Sequence, residues 1–440
     1  MENFMKYYLA IDIGASSGRH IVGSIENGEL KLDEVYRFPN AMDSVGGHLV
    51  WDTERLFREI KLGIKNAISK YGKIESLSID TWGVDYVLMS GDKEIAPTYA
   101  YRDARMDEVI DKVHEIVPYS ELYRRTGISF EKFNTVYQLY ADKLAGRLEG
   151  VTDFLMLPEY FMYKLTGNKI KEYADATTTS LVNAKTRELD PELFSLFGYP
   201  ECLVKPLSQP GTLVGALKPE IAKEVGGQLD VVLCPTHDTA SAVEAIDMEV
   251  NAPYISSGTW SLLGVKTENA ITDDNSRESG YSNEGGVGYN RYQKNITGLW
   301  IVQSLKKEIC PDVSFGDLAE EARSSSYTEY FDPNDESFSA PESMKAAIDA
   351  YFKERGKPTP ACRADYFNTA YISLANGYKT AIADLERNTG KSYSYIYIVG
   401  GGAKNAYLNE LTESITGKKV VALPIEATAI GNLKAQMKRK

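Results

Sequence analysis

Runs of apolar residues alternate along this chain with segments whose apolar positions recur every three to four residues. Glycine or asparagine marks most of the changes. Tyr7 to Gly14 (YYLAIDIG) is a short apolar run ending in a turn, which predicts a buried strand. The turn is Gly14, Ala15, Ser16, Ser17 and Gly18, and a second strand is expected from Arg19 to Glu26. Asn27 and Gly28 form a strong hairpin signal before a third strand, Glu29 to Phe38. From Asp52 to Tyr71 the period lengthens, with Leu56, Ile60, Ile64, Ala67 and Ile68 on one helical face. Ile74 to Met89 reads as two strands around the polar centre IDTWGVD. Helical patterns follow from Met106 to Gly150, and another helix is expected over Val151 to Thr166, with Gly167 as its stop.

Leu229 to Cys234 is a compact strand stopped by Pro235, after which HDTASAVEAI opens a helix. A strand, a sharp turn and a helix are the usual frame for a site at the carboxyl end of a sheet. The opening pattern then recurs. Ala252 to Val265 (APYISSGTWSLLGV) is again strand, glycine and hydroxyl turn, strand, and a third glycine turn, IYIVGGG, precedes a helix from Asn405. Two halves on a similar plan are therefore expected, 1–246 and 247–440. Glu268 to Tyr292 reads as a long polar hairpin or loop, and Asp332 to Pro341 as a loop.

Composition narrows the possibilities. At 440 residues, 43% apolar and 25% charged, the chain is an ordinary globular one of several domains. No run approaches the ~20 apolar residues of a membrane-spanning helix, and Met1 to Tyr8 does not read as a signal peptide. A formal charge of -13 disfavours nucleic acid as a partner. Cys202, Cys234, Cys310 and Cys362 lie far apart with no CxxC spacing, and there are only four histidines. Zinc chemistry is thus not expected, and a reducing cytoplasm is.

The turns carry the candidate chemistry. Small residues and hydroxyls at Gly14 to Gly18 allow backbone and side chains to approach phosphate oxygens, with Arg19 supplying positive charge. Asp12 is a candidate Mg²⁺ holder through water. The alternative is a hairpin turn that simply needed glycine. SSGTW at Ser256 to Trp260 is a second such turn, and VGGGAKN would let backbone lie against a flat ligand such as adenosine, or serve only as a tight strand-to-helix turn. Asp238 is either a proton acceptor from a substrate hydroxyl or a helix cap. IDTWGVD and AYRDAR combine carboxylates, an indole and guanidiniums as sugar sites do, so Asp80, Trp82, Gly83, Asp85, Arg102 and Asp103 are polyol-site candidates, with Asn134 and Asn295 as weaker ones. Each can equally be a loop or salt-bridge residue.

In this order, IDIGASSGR, IDTWGVD, AYRDAR, FNTVYQL, ATTTSLVN, HDTASAV, YISSGTWSLLG, NEGG, KNITGLW, DPND and VGGGAKN resemble the FGGY family of carbohydrate kinases over nearly the whole chain. The resemblance implies an α/β, actin-like ATPase fold, with two ribonuclease-H-like domains and a cleft between them. It implies ATP and Mg²⁺ as cofactors and a ketose as acceptor, most closely L-rhamnulose at its 1-hydroxyl, with a monomer or homodimer as the assembly. Carried over by motif, Asp238 is the general base. Ala15 to Arg19, Thr259, Gln303, Gly401 and Gly402 contact ATP. Gly83, His237, Asp238, Thr239 and Asn295 contact the sugar. The family's EAxAxGN stretch is present as EATAIGN from Glu426, and only eight residues follow it, so a shortened C-terminal end is expected.

Overall fold

The computed structural model describes residues 5–248, 251–423 and 426–438. The end of the basic KAQMKRK segment, residues 439 and 440, lies outside them, as do residues 1–4 of the N-terminal stretch. Two six-stranded sheets organise the chain. The first runs Leu213–Ala216, Asp230–Val232, Ser76–Asp80, Tyr8–Ile13, Ser17–Glu26, Glu29–Pro39 in spatial order. Its three opening strands form the antiparallel meander expected from the glycine turn and from Asn27 and Gly28. Ser76–Asp80 then lies parallel to the first strand, and Asp230–Val232 parallel to Ser76–Asp80.

The second sheet runs Ser282–Gly285, Asn290–Thr297, Trp260–Thr267, Tyr254–Ser257, Tyr395–Val399, Lys419–Leu423. The plan repeats: an antiparallel pair from a glycine turn, a third antiparallel strand, then two parallel strands beyond the first. In each half the buried first strand has apolar neighbours on both sides, as a central strand of a covered parallel sheet requires. Tyr8–Ile13 and Tyr254–Ser257 are both almost wholly buried.

Helices cover both sheets. Thr53–Tyr71 buries Leu56, Ile60, Ile64 and Ala67 on the first, and the Asp52 carboxylate caps it by accepting from the Arg55 N–H at 2.8 Å. Over Val151 to Thr166 the expectation of one helix is corrected. Asp153–Met156 is a strand paired with Tyr86–Ser90, and the helix begins only at Leu157, with Pro158 in its first turn. The segment 268–292 contains a short helix, Asp274–Glu278, before its hairpin. The loop 332–341 holds one helical turn, Glu336–Phe338. Among the described residues no helix is long and apolar enough to cross a membrane.

Two helices are exchanged between the halves. Asp238–Glu244 follows the last parallel strand of the first sheet, yet its Ala242 and Val243 pack with Tyr254, Tyr397 and Val399 of the second. Ala427–Met437 follows the second sheet, yet its Ala429 and Leu433 pack with Ala10 and Ile21 of the first. The two helices cross at Gly431, where an added Cβ would lie 1.7 Å from the Ser241 carbonyl oxygen. Backbone meets backbone there, and only glycine fits.

Candidate active site

Three strand ends of the first sheet bring the chemistry together. Asp12 and Asp80 are register partners on adjacent parallel strands. The Thr81 N–H donates to the Thr236 carbonyl at 2.9 Å, and the Asp238 N–H donates to the Thr81 carbonyl at 2.8 Å. The turn carrying His237 and Asp238 is thereby stitched beside Asp80. His237, not Asp238, occupies the N-cap of the helix Asp238–Glu244. The Asp238 side chain remains 29% exposed. Burial pushes its carboxyl up to about 6, and the negative charge of Asp12 adds to this, against the opposing effects of His237, the Thr239 N–H and Arg291.

Asp80, expected to touch sugar, is wholly buried. Its Oδ2 accepts from Asn432 Nδ2 at 2.6 Å, and its Oδ1 has no hydrogen-bond partner. Burial, then Asp12 and Asp238, drive its carboxyl well above the ordinary range. It offers no surface to a ligand in this structure. Asp12 is tied through Oδ2 to Arg19 at 2.6 Å, and Arg19 reaches on to Glu426 at 2.6 Å. The Arg19 guanidinium thus links the opening turn to the start of the exchanged helix. Among the described residues no group of three His, Cys, Asp or Glu side chains is placed to hold a metal ion. Asp12 fits Mg²⁺ only as a single carboxylate, the way an ion that keeps most of its water is held.

A network from the second half closes over His237. Arg291, from strand Asn290–Thr297, is wholly buried. It donates to the Gly285 carbonyl, Glu284 Oε2 and Thr239 Oγ1, each at 2.8 Å, and its Nη2 lies 3.2 Å from His237 Nδ1. His237 Nε2 is 3.6 Å from Asp238 Oδ1. Burial would raise the Glu284 carboxyl, but Arg291 and His237 outweigh it and hold it down at about 2. Neither Glu284, within NEGG, nor Arg291 stands out in the sequence by residue type alone. The available signal was hairpin spacing: a glycine-rich turn from Gly285 to Gly288 places Glu284 opposite Arg291.

The glycine turns fall into two groups. Gly14 to Ser17 is closed by the Gly14 N–H donating to the Ser17 carbonyl, and Asn40 braces it through the Ser16 and Gly14 carbonyls. Ser16 is exposed. Gly18 is a glycine for packing, since an added Cβ would sit 2.1 Å from the Phe38 ring. In the second half, Gly400, Gly401 and Gly402 lie against Ser257, and a Cβ on Gly402 would meet Ser257 Oγ at 2.0 Å. Two of the expected nucleotide turns are therefore neighbours. Thr259 is exposed and donates to Gln303 Oε1 at 3.2 Å, from the first turn of helix Trp300–Ile309.

The remaining expected residues divide. Gly83, at φ +81, would bring a Cβ within 3.3 Å of His237, Asp175 and Thr178, so it does line the same place as His237. Trp82 is partly buried against Trp51, with ring centroids 4.3 Å apart. Asp85 is buried and accepts from both indoles and from Gln138, which makes it an anchor for Trp82. Asp103 is likewise spent, accepting from the Leu49 and Arg105 N–H groups. Asn134 is buried, with Nδ2 on the Thr178 carbonyl and Oδ1 on the Glu131 N–H, so both ends serve the fold. Arg102 is exposed, with its guanidinium 5.4 Å from the Tyr101 ring centroid. Asn295 is exposed and lines a cavity of about 390 Å³ with Phe130, Glu131 and Lys294.

Comparison with known proteins agrees with this architecture. Residues 7–243 match the N-terminal domain of the FGGY family of carbohydrate kinases, and residues 253–439 match the C-terminal domain of the same family. The chain is 42% identical over 433 residues to a rhamnulokinase of Oceanobacillus iheyensis, spanning 98% of this chain and 92% of the relative. It is 41% identical over 436 residues to a rhamnulokinase of Halalkalibacterium halodurans, spanning 98% of this chain and 93% of that one. In structure it superposes on a gluconate kinase from Lactobacillus acidophilus with a TM-score of 0.82 at 15% identity, covering 99% of this chain and 89% of the other. That likeness shows a shared fold, the actin-like ATPase architecture of two related α/β domains.

Proposed function

The chain belongs to the FGGY family of carbohydrate kinases and phosphorylates a sugar with ATP, and we propose that its acceptor is L-rhamnulose, phosphorylated on the 1-hydroxyl with Asp238 as general base. The observation that carries the base assignment is the Asp238 carboxylate, partly exposed at the joined strand ends and not serving as the helix cap. The names of the relatives at 41% and 42% identity support the choice of ketose.

The residues act as follows. Gly83, His237, Thr239 and Asn295 bind the ketose. Asp238 accepts the proton of the attacking hydroxyl. In a loose phosphoryl-transfer transition state that proton leaves late, so a carboxylate of modest basicity is sufficient. The backbone and hydroxyls of Ala15 to Ser17, with Thr259, Gln303, Gly401 and Gly402, would hold ATP, and Asp12 would hold its Mg²⁺ through water. When bound, Mg²⁺·ATP supplies the phosphoryl group and spreads its charge. Arg19, tied to Asp12 and Glu426, orders the phosphate-side turn. A closed cleft keeps water from competing with the sugar hydroxyl.

A coupled ADP-release assay tests this reading. The chain is supplied with Mg²⁺·ATP and, in turn, L-rhamnulose, L-fuculose, D-xylulose, L-ribulose and glycerol. The expected result is turnover strongest with L-rhamnulose. Preference for another ketose would move the specificity and leave Asp238 in its role. ADP release indifferent to every sugar would overturn the acceptor reading altogether.

A further inference from the structure

His237 stands between two charges of opposite sign. On one side is the guanidinium of Arg291, with Nη2 at 3.2 Å from Nδ1. On the other is the carboxylate of Asp238, with Oδ1 at 3.6 Å from Nε2. A neutral imidazole has one donor and one acceptor nitrogen, and its neighbours decide which is which. We propose that Arg291, braced by Glu284, is a positioning residue that fixes His237 as the Nε2–H tautomer and so keeps an N–H donor facing Asp238. The proposal rests on the reading of Asp238 as proton acceptor.

The two tautomers satisfy different contacts, because Arg291 Nη2 and Glu284 Oε2 both lie 3.2 Å from Nδ1. Glu284 Oε2 is already engaged as the acceptor of Arg291 Nη2 at 2.8 Å, which leaves Nδ1 to the guanidinium. With the proton on Nε2, Nδ1 accepts from Arg291 and the N–H is directed toward Asp238, while Thr239 Oγ1, 3.1 Å from Nε2 and 3.3 Å from Nδ1, does not distinguish the two tautomers. Thr239 Oγ1 also accepts from Arg291 Nη1 at 2.8 Å, so the same guanidinium fixes both neighbours of the base. The opposite tautomer would donate from Nδ1 to Glu284 Oε2 at 3.2 Å. It would also press that N–H against a cation and turn a bare lone pair toward the Asp238 carboxylate. Glu284 acts instead as the counter-charge that lets a wholly buried arginine stay in place.

The arrangement also joins the two halves at the reacting residue. Arg291 and Glu284 lie on the hairpin of the second sheet, while His237 to Thr239 belong to the turn after the first. The hairpin is seated on the first half by the Gly285 N–H donating to Thr177 Oγ1 at 2.8 Å, and by the Asn283 N–H donating to the Gly127 carbonyl at 2.7 Å. Seating of that hairpin therefore sets the tautomer of His237. A cleft whose halves have parted leaves His237 free to exchange tautomers.

The test is ring-nitrogen NMR of the ¹⁵N-labelled full-length protein above neutral pH, with His237→Asn assigning the resonance among the four histidines. The wild-type ring is expected as Nε2–H, and an Nδ1–H ring overturns the proposal. In Arg291→Met the signal is expected to become a tautomer mixture, with kcat lowered about 10- to 100-fold, the loss that follows when the partner orienting a metal-bound imidazole is removed, and KM for ATP unchanged. Arg291→Lys should recover part of both. A methionine variant that loses kcat while His237 stays Nε2–H reduces Arg291 to a structural role and refutes the proposal. If that variant does not fold, the wild-type spectrum decides alone. Asp238→Asn separates the two readings: full turnover there removes the base, while the His237 spectrum of the wild type still reports on Arg291.

Discussion

Gly431→Ala is the sharpest test of the exchanged-helix arrangement. The substitution adds one methyl group on a helix, which by itself favours helix formation by up to about 1 kcal/mol. Here the methyl carbon would stand 1.7 Å from the Ser241 carbonyl oxygen, 2.6 Å from its carbonyl carbon and 3.1 Å from its Cα. Relaxing the first contact to an ordinary C···O separation of about 3.3 Å needs a shift of about 1.6 Å. The obstacle is backbone, so no rotamer change relieves it, and the helices Asp238–Glu244 and Ala427–Met437 must move apart. Overpacking of this kind costs about 1–3 kcal/mol. Offset by a propensity gain of about 1 kcal/mol, the net destabilisation is about 0–2 kcal/mol. Activity should suffer more than stability. Asp238 begins the displaced helix, and Asn432, which holds Asp80 at 2.6 Å, adjoins the substituted residue. A displacement of about 1 Å at reacting groups lowers turnover by roughly 10²-fold. Thermal melts and steady-state kinetics with a saturating ketose read both effects. Unchanged melting and unchanged kcat in Gly431→Ala would refute the close crossing and the route from it to Asp238.

Asp238→Asn should keep ligand binding and lose about 10²- to 10⁴-fold in kcat, the usual range for a general base; near-normal kcat would end that assignment. The wild-type kcat/KM should fall on the acid side with an apparent pKa near the value of about 6 given to Asp238 by its surroundings. That folded value lies above the ordinary 3.8, so the ionised carboxylate lowers stability at neutral pH, and the penalty disappears as pH falls through 6 toward 3.8. Asp238→Asn should therefore melt above the parent near neutral pH, with a lead that narrows by about pH 5; a lead that widens on acidification would contradict the sign. X-ray scattering should show compaction when ketose and nucleotide are both bound, because expected ligand contacts come from both halves. Superimposable profiles would argue against closure.

Much of this protein is determined locally. The alternation of apolar runs with glycine and hydroxyl turns was sufficient to place the opening meander, its repetition after Ala252, and the strand-to-helix turn bearing Asp238, because each of these is decided by residues within a few positions of one another. Local pattern was insufficient at Asp153–Met156. Four residues that continue smoothly into a helix become a strand there because Tyr86–Ser90 lies alongside to accept the pairing. Side-chain roles divide the same way. Residue type made Asp80, Asp85, Asp103 and Asn134 plausible sugar ligands, and only the tertiary structure shows that they are buried and which protein groups they hydrogen-bond. Arg291 and Glu284 lie about fifty residues beyond His237, and no spacing in the chain announces that a hairpin of the second half will seat them on it. The exchange of helices at Gly431 belongs to the same class. A glycine in a helical segment is locally unfavourable, and its reason exists only where another backbone passes within contact distance. The sequence by itself determines the strands, the turns and the kind of chemistry they hold. Which of those groups meet water, which meet each other and which face a substrate is decided by long-range packing, since burial and charge neighbours are properties of the assembled cleft.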